Sequence, residues 1–158
     1  MDITGSSTLD EIKAWLQLHV DKGVHCPCCG QHAKIYKRPV SGNMALVLIA
    51  LYRQGRDWIH LEDTPRPDDA TKEAISKREW AKMAYWGLIE QKEVTSTKTK
   101  NSGVWRITEA GIDFVLGRSS IQKYAIIYAA QLLGFKGKQV TIDDALGEKF
   151  DYVELMTR

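Results

Sequence analysis

The chain has 158 residues, 44% of them apolar and 27% charged, which is the balance of a folded globular protein and excludes a disordered one; the length predicts one domain with attachments or two very small ones. A net charge of only +2 excludes a strong whole-molecule field, so any nucleic-acid surface has to come from local clustering of cations. No stretch approaches the roughly 18 consecutive apolar residues of a membrane span, and the N-terminus lacks the basic start and apolar run of a secretory signal, which predicts a cytoplasmic protein with no membrane partner.

In chain order, Thr8 and Glu11 have the spacing of a capping box, in which each side chain satisfies a backbone N–H left open by the first helical turn. Leu9, Ile12, Leu16 and Val20 then recur at helical spacing, with Trp15 and His19 beside them and Gly23 as the stop. This predicts an amphipathic helix that needs a surface to pack on, its own core or a second copy in a homodimer. Residues 33–38 alternate like a short strand, closed by Pro39. Ser41 and Asn43 are N-cap candidates for residues 44–52, which are apolar on nearly every side and therefore predict a central, buried helix.

Residues 58–61 are a strand candidate, and Thr64-Pro65-Arg66-Pro67 is a rigid break. A long helix is predicted over 68–86, capped by Asp68 or Asp69 and ended by Gly87. Residues 88–94 read as a strand, 95–102 as a polar, basic loop, 103–107 as the returning strand, and 109–116 as a helix capped by Thr108. Farther on, 122–128 and 131–135 read as a hairpin around Ala129-Ala130, a turn without Asn-Gly chemistry. Short helices are predicted over 141–146, with Thr141 and Asp144 as a second capping box, and over 150–156.

This order resembles the winged helix. Gly87-Leu88-Ile89-Glu90, followed by Trp105-Arg106-Ile107-Thr108-Glu109-Ala110-Gly111, is similar to the run of strand, wing and helix start in regulators of the MarR type. The resemblance covers residues 43–116 and implies a DNA-binding, regulatory protein. It departs at one place: Pro65 and Pro67 stand where a helix-turn-helix has its first helix, so either that helix is reduced to a turn or one long helix replaces the pair. The expected fold class is α+β, a winged-helix core over 41–118, preceded by a helix and metal knuckle over 1–40 and followed by a hairpin and short helices over 119–158.

The three cysteines all lie within Cys26-Pro27-Cys28-Cys29, too close together for a disulfide framework. Cys26-Pro27-Cys28-Cys29-Gly30 resembles the knuckle of rubredoxin-like and zinc-ribbon sites, with Cys26 and Cys29 as paired ligands. Two thiolates three residues apart on a tight turn converge on one metal while backbone N–H groups point at their sulfurs. A structural zinc needs four ligands, and Cys28, His19, His25, His32, His60 and Asp63 are the candidates for the rest; His32, one turn past Cys29, ranks first and His60 second.

Three basic stretches are candidates for phosphate contact: Lys34, Lys37 and Arg38; Lys72, Lys77, Arg78 and Lys82 on the long helix; and Lys98, Lys100 and Asn101 in the wing. On one continuous helix, Lys72, Arg78 and Lys82 fall broadly together, opposite Ile75 and Met83. Arg78 and Asn101 are the types able to read base edges. No phosphate loop, nucleophile elbow or zinc-protease helix occurs, so no enzyme is expected. Cys-Pro-Cys-Cys-Gly-Gln near the start and Phe-Asp-Tyr-Val-Glu-Leu-Met at the end complete a likeness to small phage and prophage proteins. Duplex DNA is thus the expected partner, and a phage adaptor binding a host protein is the alternative.

Overall fold

The computed structural model describes residues 2–64, 68–93 and 103–157, and its architecture is mixed α+β with antiparallel sheets. The elements are α1 (Leu9–His19), β1 (Val24–His25), β2 (His32–Ala33), β3 (Tyr36–Pro39), α2 (Gly42–Arg53), β4 (Ile59–His60), α3 (Asp69–Lys77), β5 (Ile89–Gln91), β6 (Val104–Ile107), α4 (Glu109–Val115), β7 (Ile121–Tyr128), β8 (Gln131–Val140), α5 (Ile142–Leu146) and α6 (Tyr152–Thr157), with 3₁₀ turns at Leu61–Asp63 and Glu79–Trp86. They form two compact units, residues 1–39 with 124–136, and residues 40–123 with 137–158. Among the described residues no helix is long and apolar enough to cross a membrane.

In the first unit, α1 starts with the expected capping box: the Thr8 hydroxyl accepts from the Glu11 N–H and the Glu11 carboxylate accepts from the Thr8 N–H. No residue of α1 itself is fully buried. β1 and β2 form a two-stranded ribbon with His25 opposite His32. β3 pairs with β7 in a sheet of order β3-β7-β8, Tyr36 facing Ile127 and Lys37 facing Ile126. The strand expected over 33–38 is thus split in two. Lys34 and Ile35 form the step between them, and the Ile35 N–H donates to Val20 at the end of α1. Among the described residues, Val20, Ala125 and Ile127 are the buried apolar side chains of this unit, a thin core for its length.

The second unit is built around α2. Ser41 caps it by accepting from the Met44 N–H, and Met44 through Ile49 with Leu51 are buried in an unbroken run, which requires neighbours on every side. α3, α4 and α5 supply them. Strand order is β4-β6-β5, with Ile59 opposite Trp105 and Ile89 opposite Ile107. Thr108 ties this sheet to α4: its N–H donates to the Leu88 carbonyl, its hydroxyl donates to the Gly87 carbonyl and also caps the helix by accepting from the Gly111 N–H. A Cβ on Gly111 would collide with the Leu88 carbonyl and lie 2.7 Å from Ile107 Cγ1, so α4 can approach β5 and β6 this closely only with glycine there.

The helix expected over 68–86 is broken. α3 starts at its Asp68 cap and ends at Lys77, Arg78 takes a left-handed conformation at φ 60°, and a tighter 3₁₀ turn runs on to Trp86. The break lets Trp80 turn inward, where its indole N–H donates to the Ile75 carbonyl at 2.9 Å and its ring meets Trp105 edge-on at 5.2 Å. That contact outweighs the cost of a side chain in the left-handed region, about 1 kcal/mol. At the chain's end the Tyr152 hydroxyl donates to the Val115 carbonyl at 2.7 Å, burial raises the Tyr152 pKa, and the Arg53 guanidinium donates to the Leu155 carbonyl. Pro65 and Pro67 lie outside the described residues.

Candidate metal and nucleic-acid sites

The cysteine turn sits at the tip of the β1-β2 ribbon. The Cys26 N–H donates to the Gln31 carbonyl and the Gly30 N–H donates back to the Cys26 carbonyl, both at 2.8 Å, while Gly30 adopts φ 75°. This closes the loop, and the backbone N–H groups of Cys29 and Cys28 point at the Cys26 sulfur. These hydrogen bonds, Cys29 first, hold the Cys26 thiol below its ordinary pKa, with smaller help from the Cys29 and Cys28 thiols. Cys28 is pushed up, by desolvation first and then by the charge of Cys26.

Of the histidines, His25 and His32 stand together across the ribbon, their rings 5.3 Å apart. His25 Nδ1 is 3.1 Å from the Gly30 carbonyl, and His32 Nε2 lies against Gly23. His19 stacks on Trp15 at 4.2 Å. His60 belongs to the second unit, where its Nδ1 accepts from the Glu62 N–H and its ring covers Gly103; Asp63 follows in the same turn. Among the described residues no set of three His, Cys, Asp or Glu side chains is already arranged to hold a metal ion.

Of the basic positions, Lys72, Lys77 and Arg78 are exposed and Lys82 is half-buried. Lys77 is paired with Glu73 at 3.1 Å; among the described residues no ion pair engages Lys72, Arg78 or Lys82. Because the helix breaks at Arg78, Lys82 is carried by the 3₁₀ turn and not by α3, which carries Lys72 and Lys77. Arg78 stands at the joint, on the rim of a cleft of about 800 Å³ lined by His60, Ser76, Trp80, Gln91 and Trp105. Lys98, Lys100 and Asn101 lie outside the described residues. The aromatic residues near this region are structural: Trp80 and Trp105 pack on each other, and the Trp86 indole donates to the Gln122 carbonyl.

The cations flanking the ribbon lie against rings. Lys34 and Arg38 approach Tyr36 at 5.7 and 4.7 Å, and Lys37 Nζ lies 4.1 Å from the Tyr124 ring. Sequence reasoning missed two features, the break at Arg78 and the aromatic face of the β7-β8 hairpin. The first has no local signal, since Ser76-Lys77-Arg78-Glu79 suits a continuous helix. The second is signalled by Tyr124, Ile126 and Tyr128 recurring at every second residue. Compared with protein-family models, with curated proteins and with solved structures, the chain matches none.

Proposed function

We propose that the second unit is a winged-helix module that binds duplex DNA, in a regulatory role, and that the first carries a structural zinc knuckle. The observation that carries the DNA reading is the connectivity of the second unit: α2, β4, α3, the 3₁₀ turn, β5, β6 and α4, with the strands ordered β4-β6-β5. In a winged helix the first strand pairs with the third, and the hairpin of the second and third forms the wing, which is this order. On this reading α3 and the 3₁₀ turn are the helix pair, Arg78 is the joint between them, and Lys98, Lys100 and Asn101, which fall between β5 and β6 in the sequence, are the candidates for further phosphate contact. Lys72 and Lys82 supply sequence-independent attraction to phosphates, and Arg78 has the donor geometry to read a base edge or a narrow groove. A strained backbone at an exposed arginine that no ion pair engages among the described residues is the kind of outlier that functional sites retain. Titrating a labelled duplex into the protein at low salt is expected to give binding that Arg78→Ala weakens on the order of 10-fold. No binding by the unaltered protein at low salt would refute this reading.

The zinc reading rests on the N–H groups of Cys29 and Cys28 that converge on the Cys26 sulfur, an arrangement suited to a thiolate bound to a cation. Cys26 and Cys29 would be thiolate ligands and His32 a third. The ion would supply folding free energy to a unit whose buried apolar residues are few. Protein purified under reducing conditions is expected to carry one equivalent of zinc by elemental analysis, lost in Cys26→Ser or Cys29→Ser. Metal-free protein, or full zinc content in both variants, would contradict it.

A further inference from the structure

The last two helices of the second unit border a cleft of about 670 Å³ that the winged-helix reading does not use. Its walls are the end of α4 at Leu116, the start of α5 at Ile142 and Asp143, and the chain from Glu148 to Glu154, which leads into α6. Hydrogen bonds from the Tyr152 hydroxyl to the Val115 carbonyl and from the Arg53 guanidinium to the Leu155 carbonyl pin α6 in place. Residues two apart on a helix point to different sides. Leu155 is turned inward at 7% exposed, so Val153 is held outward at 68%. An aliphatic side chain kept in water at the mouth of a cleft, on a helix fixed by its other side, is a surface already organised for a partner.

Charge selects the partner. Asp143, Glu148, Asp151 and Glu154 line the cleft; among the described residues that line it Lys149 is the one cation, and its ammonium lies over the Phe150 ring at 5.4 Å. Among the described residues no ion pair engages Asp143, Glu148 or Asp151. Such a rim repels nucleic acid and anionic small molecules. It does not suit a bare metal ion either, since among the described residues no three carboxylates are arranged to hold one and part of the lining is apolar. Carboxylates spread around an aliphatic patch match a chain that carries cations on either side of an aliphatic side chain. We infer that this cleft docks a lysine- and arginine-rich peptide segment of a protein partner, with Val153 and Leu116 receiving an aliphatic side chain and Asp143 and Glu148 receiving the cations beside it. The inference does not rest on the duplex reading, because none of these residues is assigned to DNA.

The test is fluorescence anisotropy of the labelled peptide Gly-Lys-Arg-Leu-Leu-Lys-Arg-Gly with the full chain at low salt. Binding is expected and should weaken as salt rises; the same peptide with both leucines replaced by serine keeps its charge and is expected to bind on the order of 10-fold more weakly. Val153→Ser, and separately Asp143→Asn combined with Glu148→Gln, are each expected to weaken binding on the order of 10-fold. These three positions are exposed, and Asp151, which accepts from the Glu154 N–H at the start of α6, is left in place. Far-UV circular dichroism identifies any variant that fails to fold. Arg78→Ala, the duplex variant, is expected to leave peptide affinity unchanged, so failure of one reading is distinguishable from failure of the other. Absence of peptide binding, affinity indifferent to both cleft variants, or equal affinity for the leucine and serine peptides would each overturn the proposal. So would calcium binding that the double variant abolishes with no peptide bound, which would assign the rim to a cation, and a dimer that Val153→Ser splits while peptide affinity stays unchanged, which would assign the cleft to a second copy.

Discussion

Gly111 shows how a short motif acquires its residues. The Thr108-Glu109-Ala110-Gly111 run is legible in the sequence as a helix start, since Thr108 has the chemistry of an N-cap. What the sequence does not display is why the fourth position is glycine. That follows only from the approach of α4 to the Leu88 carbonyl and to Ile107, a contact between segments far apart in the chain. Gly111→Ala is therefore expected to destabilise the second unit by about 3 kcal/mol, read as a lower urea midpoint, although alanine is the better helix former. A midpoint equal to that of the unaltered protein would mean that the helix does not sit this close. Arg78 is the opposite case. Nothing in Lys77-Arg78-Glu79 disfavours a helix, and the break comes from a tertiary demand, the burial of Trp80 against Trp105.

Secondary structure was most legible where local chemistry decides it. Both capping boxes, Thr8 with Glu11 and Thr141 with Asp144, are present; in the second, the hydrogen bond from the Thr141 N–H lowers the Asp144 pKa. The strands were less legible: β4 stops at His60 because Leu61 turns into the core, and β8 runs to Val140, past the residue where its apolar pattern ends. The Ala129-Ala130 turn works against its own composition, since two residues with Cβ atoms are held at positive φ. Replacing them as Ala129→Asn with Ala130→Gly should stabilise the protein by about 1 kcal/mol, seen as a higher urea midpoint with an unchanged slope. A loss of stability would show that the hairpin does not use this turn.

The two units differ in what holds them together. The second buries a continuous apolar core around α2, and the class of its architecture, helices with an antiparallel sheet, was readable from the order of apolar periods and caps. Among the described residues the first has only Val20, Ala125 and Ile127 as fully buried apolar residues, with Ile12, Trp15, Leu16 and Ile35 half-buried and Leu9 and Leu18 exposed, so a metal staple would add stability where the core is thin. Single residues of the candidate sites were visible in the sequence because thiols and cations announce their chemistry. Their grouping was not, since it depends on the helix break at Arg78 and on the separation of His60 from the cysteine turn into a different unit. Residues 94–102, which lie between β5 and β6 in the sequence, carry Lys98 and Lys100, on which the proposal of duplex binding depends, and counterion release gives that proposal a direct measure. Duplex affinity should fall linearly in log-log form as salt rises, and Lys98→Ala combined with Lys100→Ala should flatten that slope by about 2, one for each lost phosphate contact. Undetectable duplex binding at low salt, or an identical slope for the two proteins, would contradict it.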